Sequence, residues 1–181
     1  MTAILARLPR WAQIIPVFGV ILIIIYTWTL IWFFWEVPSW LYYLRIGEVL
    51  VLLAYTLATN FAESLLVLCG PLLLALALPP KWFRDVFVAR GAALSIAGLG
   101  CLIFLARQFT DKDAYPGFWL RLPILLAAAV GLAALVYLCG RVRLLRTAVE
   151  AVAERVSIFA YILAPLSVIS VLVVGLRLLI G

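Results

Sequence analysis

Apolar residues run through this chain in long blocks, and polar residues are largely confined to the short stretches between them. Five blocks stand out, at residues 14–35, 46–78, 86–106, 118–140 and 157–180. Within them the hydrophobic positions follow neither the two-residue period of a half-buried strand nor the 3.6-residue stripe of a helix half in water. A helix needs roughly 20 predominantly apolar residues to cross about 30 Å of hydrocarbon, and every block reaches that length. Backbone groups in lipid must bond within their own segment unless a barrel closes, and the alternating ~10-residue segments of a barrel are absent. The pattern predicts an all-α fold, a polytopic membrane helical bundle of about five transmembrane helices, with residues 1–181 forming one integral membrane domain. The first block is too long for a signal-peptide core and no small-residue cleavage site follows it, so it is expected to be retained.

The second block exceeds what one upright crossing requires. About 33 residues at 1.5 Å each give about 50 Å, so 46–78 must tilt, protrude, kink at Gly70-Pro71, or fold into a hairpin near Thr59-Asn60. A hairpin would leave arms of about 15 to 17 residues, at the lower edge of what spans a bilayer. It would also scatter the charges described next, so five crossings are preferred to six.

Charge adds an orientation. With five crossings and the N-terminus inside, Arg7, Arg10, Lys81, Arg84, Arg90, Arg141, Arg143, Arg146 and Arg155 lie inside, while Arg45, Arg107, Lys112, Arg121 and Arg177 lie outside. That bias predicts an inside N-terminus and an outside C-terminus in the cell membrane, of the bacterial inner-membrane type. The net charge of +6 is then a topology signal and a contact for anionic headgroups, and no basic folded surface for nucleic acid exists. Trp32, Trp35, Trp40, Tyr42 and Tyr43 fit an outer aromatic belt, and Trp11, Trp82 and Phe83 an inner one.

Polar residues inside the second block carry the candidate chemistry. Arg45, Glu48, Tyr55, Thr56, Thr59, Asn60, Glu63 and Ser64 recur at spacings of three and four, which predicts one helical face turned away from lipid. Glu63 is the sharpest case, because a carboxyl at mid-membrane costs ~2.5–3.5 kcal/mol on insertion scales. It is expected to meet protein or trapped water, with Asn60 one turn earlier donating to it. Glu63, Asn60, Thr59, Thr56 and Glu48 form the candidate intramembrane polar site. It reads either as a proton- or substrate-binding carboxyl in a cavity or as interhelical glue bonded to neighbouring helices.

The remaining blocks offer packing devices. Gly91, Ser95 and Gly98 make a small-residue strip on the third helix, Ala127, Gly131 and Ala134 on the fourth, and Ala160, Ala164 and Ser167 on the fifth. Such strips let helices approach closely in lipid, within the chain or between copies. Pro123 and Pro165 are expected to start or kink their helices. Residues 141–155 place apolar positions opposite charged ones, as in an amphipathic inner-face segment or a crossing extended into the cytoplasm. Asp111, Asp113, Tyr115 and Trp119 sit together in the outer connection, where a polar turn within an aromatic belt accounts for them.

Catalytic and cofactor chemistry find little footing. The chain has no His, and Cys69, Cys101 and Cys139 lie apart and read as small core residues. Zinc sites want four clustered Cys or His ligands, and haem wants an axial ligand such as imidazole. No protease elbow or metalloprotease motif occurs, so no enzyme activity and no cofactor are expected. In helix count alone the chain resembles the membrane anchor of the lipoteichoic-acid synthase and phosphoethanolamine-transferase group. The sequence predicts an accessory or scaffold subunit of a membrane complex, held with other membrane proteins or as a homo-oligomer. The alternative is a small transporter or proton-linked channel organised around Glu63.

Overall fold

A computed structural model describes residues 8–79, 82–109 and 118–180. They form five helices: α1 (Trp11–Trp40), α2 (Ile46–Ala77), α3 (Phe87–Phe109), α4 (Phe118–Arg141) and α5 (Arg143–Ile180). A single 3₁₀ turn, Arg84–Val86, leads into α3. All five are long and apolar enough to cross a membrane. The connection between α3 and α4, which holds Asp111, Asp113 and Tyr115, lies outside the described residues.

For two of the long segments the structure selects between the alternatives left by the sequence. α2 is one helix of 32 residues that passes through Thr59-Asn60 without a turn and through Gly70-Pro71 without ending, so the hairpin does not form. Residues 141–155 do not make a separate surface segment. Val142 alone interrupts the helices, and the amphipathic stretch becomes the first turns of a 38-residue α5, about 57 Å long at 1.5 Å per residue. Leu144 and Leu145 remain exposed, while Ala153 is fully buried. Pro123 falls near the start of α4 and Pro165 inside α5.

Contacts between named residues fix the relative directions of the helices. Phe18 meets Phe61 with ring centroids 6.4 Å apart, and Tyr26 meets Leu57 further along α1, so α1 and α2 are antiparallel. Gly19 lies against Ser157 and Tyr26 against Ser167, so α1 and α5 run the same way. Arg90 packs on Gly140 while Leu94 and Val136 line one cavity, so α3 and α4 are antiparallel. One end of the bundle thereby carries Arg10, Arg84, Arg90, Arg141, Arg143 and Arg146, and Arg45 and Arg177 line a cavity together at the other.

α1 is the centre of the core. Val17 and Ile21 pack with Leu68 and Ala75 of α2 and with Phe83 and Phe87; Leu22 and Tyr26 pack with Leu57 and Ala160; Val20 packs with Ala92 and Ala153. At Gly19 the approach is backbone to backbone, since a Cβ there would stand 2.9 Å from the Ser157 Cα. Gly91 has a similar role, with a Cβ position 3.1 Å from a Val17 methyl. Small residues are what permit such distances between helices.

Several packing expectations change. Gly91, Ser95, Ala160 and Ser167 are buried as the strips on α3 and α5 predict, but Ala127, Gly131 and Ala134 face outward, and a Cβ at Gly131 or Gly98 would meet nothing within 4 Å. α4 packs against the core through Val136, its Ala129 and Ala133 line a cavity shared with α3, and only 6% of its apolar stretch is buried. A strip of small residues permits close approach but does not supply the neighbour. Cys69 is exposed, unlike the core residue expected, and Cys139 is buried. Phe83, expected in an inner aromatic belt, lies instead in the core, edge-on to Phe87.

Candidate functional site

α2 turns a narrow stripe inward: Leu57, Asn60, Ser64, Leu68, Pro71 and Ala75 are buried, at steps of three and four. Two neighbouring helices, α1 and α5, cover that stripe, and residues about 60° to its side are already outside it. Asn60 therefore sits in the core, 2% exposed, whereas Thr59 and Glu63 lie on the outer surface of the bundle. The five candidate residues are not gathered into one site.

Each of the five has a separate local setting. The Glu48 carboxylate accepts from the Arg45 backbone N–H at 2.8 Å, satisfying one of the free donors at the start of α2. Thr56 donates to the Leu52 carbonyl at 2.9 Å and Thr59 to the Tyr55 carbonyl at 3.0 Å. Ser64 does the same within the core, donating to Asn60's carbonyl at 2.7 Å. Asn60 does not donate to Glu63: its side-chain Nδ2 is buried without a hydrogen-bond partner. Glu63, the eighteenth of the 32 residues of α2, stands near mid-helix and open on its outer side. An ion pair lies elsewhere, Arg146 to Glu150 at 2.9 Å.

A polar junction that the sequence reading missed lies at the heart of the bundle. The Tyr26 hydroxyl is 3.2 Å from the Leu57 carbonyl and shares a short hydrogen bond with Ser167 Oγ, and Ser167 also lies 2.7 Å from the Leu163 carbonyl. It ties α1, α2 and α5 at one point, with Tyr26 1% exposed. The signal available was a phenol directly after the apolar run ILIII, since a buried phenol needs a partner.

A cavity of about 690 Å³ opens between the start of α2 and the end of α5, lined by Arg45, Glu48, Tyr55 and Arg177 among others. Glu63 does not line it. No protein-family model matches the chain, and neither a curated protein nor a solved structure matches it significantly. The helix-count likeness to the synthase and transferase anchors thus has no structural match behind it.

Proposed function

We propose that the chain is an accessory or scaffold subunit of a membrane complex, inserted by five crossings with the N-terminus inside, and that the outer face of α2 receives a helix of another membrane protein. The observation that carries this reading is Glu63, exposed at mid-helix on the outside of the bundle. Left against hydrocarbon, a carboxyl there costs ~2.5–3.5 kcal/mol on insertion scales. A partner helix offering a donor or a cation removes that cost, and intramembrane hydrogen bonds of this kind hold helices together. Thr59, on the same surface, adds a second polar contact although its hydroxyl proton is already bonded. The arginines collected at one end of the bundle support an inside placement for that end, in a membrane of the bacterial inner type.

The transporter reading has less support. It needs the carboxyl in a polar cavity within the chain, and Asn60, not Glu63, is the residue turned inward.

Purification of the tagged full chain from its own membrane in mild detergent tests the proposal. A stoichiometric membrane partner is expected with wild type and with Glu63→Gln, which keeps the hydrogen-bonding shape. Glu63→Lys should release that partner while the chain stays folded. A lone monomer would overturn the reading, as would a homo-oligomer with no other protein.

A further inference from the structure

The end of the bundle that gathers arginines also holds two adjoining cavities, both lined by residues of α3 and α4. One, of about 390 Å³, is lined by Trp82, Arg90, Tyr137, Gly140 and Arg141. The other, of about 350 Å³, shares Trp82, Arg90 and Tyr137 and continues among Leu78, Leu94, Leu132 and Val136. The first is rich in donors and has no carboxylate in its lining; the second is walled by apolar side chains. Each is within the size range of small-molecule sites.

One donor of the Arg90 guanidinium is left unsatisfied here. Its Nε is buried with no hydrogen-bond partner, although a buried charged donor left unpaired is costly. The guanidinium fits against α4 only because position 140 is glycine, since a Cβ there would overlap it. Arg141 faces the same chamber, donating to the Tyr137 hydroxyl at 2.8 Å and lying 5.9 Å over the Tyr137 ring. Trp82 and Tyr137, with ring centroids 6.1 Å apart, are the residue types that sit at headgroup level. Two planar forks facing one space, with no carboxylate among the described residues that line it, match a phosphate oxygen pair.

We propose that this chamber binds an anionic phospholipid, with the phosphate held by Arg90 and Arg141 and an acyl chain lying in the apolar cavity between α3 and α4. Charge complementarity and the continuity of a cationic chamber with an apolar one select an amphiphile over a free anion. Basic pockets between membrane helices at the inside face are suited to anionic headgroups. The site rests on membrane insertion but not on the α2 interface.

The test uses the full chain, delipidated in mild detergent and titrated with dioleoylphosphatidylglycerol, dioleoylphosphatidylcholine or inorganic phosphate. Native mass spectrometry and thermal unfolding are the readouts. Phosphatidylglycerol should be retained as a one-to-one adduct and raise the unfolding temperature, and the other two should not. Arg141→Gln, at an exposed position that the fold tolerates, should weaken retention about tenfold, the worth of one charge-assisted hydrogen bond. Gly140→Ala, which displaces the Arg90 guanidinium, should do likewise, whereas Arg143→Gln at the same end but outside the cavities should not. Equal retention of phosphatidylcholine, equal stabilisation by inorganic phosphate, or an equal loss in Arg143→Gln would each overturn the proposal. If the chain fails to float with phosphatidylglycerol vesicles after reconstitution, membrane insertion and this site fall together. If it floats without selective retention, this site alone falls.

Discussion

Two buried polar side chains in adjoining parts of the core have opposite energetic standing. Tyr26 has its hydroxyl satisfied by α2 and α5, whereas the Asn60 amide nitrogen is buried with no partner. Removing a satisfied bond costs stability; removing an unsatisfied donor relieves it. Tyr26→Phe should therefore destabilise the protein by about 0.5–1.5 kcal/mol in unfolding from mixed micelles. Ser167→Ala should cost less in that background than in wild type, because the two changes remove one shared bond. Asn60→Leu, close in shape, should be neutral or stabilising in the same assay. A loss of more than about 1 kcal/mol would show that Nδ2 has a partner. Glu63 was legible as an unusual carboxyl but not as an outward one: the spacing of polar residues gives a face, and which neighbours cover that face is a tertiary fact.

At the scale of helices, contact distance decides which small residues matter. Gly19 stands among bulky residues in PVFGVIL, outside any strip of small residues, yet it is where α1 and α5 touch through their backbones. Gly19→Ala should cost about 1–3 kcal/mol, because neither backbone can give way as a flexible side chain could. Gly131→Leu should be silent for the stability of the isolated chain, since nothing lies near its Cβ position. Thermal unfolding of the two variants against wild type in detergent checks the contrast, and equal losses would contradict it. The five helices themselves were readable because ~20-residue apolar runs have few other uses. Their ends were less so. α1 extends past the predicted 14–35 to Trp11–Trp40, and α5 absorbs the amphipathic stretch, because apolar or charged composition alone does not say where a helical ladder stops.

For the whole molecule, charge and direction of travel agree without having been derived from each other. The alternation of α1, α2 and the later helices comes from residue contacts, and the arginines then fall mostly at one end. That end is expected inside. Cysteines placed at Tyr43 and Arg143, in a variant without Cys69, Cys101 and Cys139, should differ in intact cells. Tyr43→Cys should react with an impermeant reagent added outside and Arg143→Cys should not. Equal reaction at both, or the reverse order, would contradict the topology. The arginine that sequence reading counted only toward orientation, Arg90, also packs inside the bundle against Gly140. No spacing in the chain announces that pairing, because the two residues meet only when α3 and α4 lie side by side.

The central claim, that the outer face of α2 is covered by a protein partner, is tested most directly by photo-crosslinking in living cells. A photoreactive residue placed at Thr59, beside Glu63, should give a discrete protein adduct. The same residue at Phe104, exposed on α3, should give lipid adducts only. Lipid adducts from position 59, with no protein band above background, would contradict the account and leave Glu63 facing the bilayer.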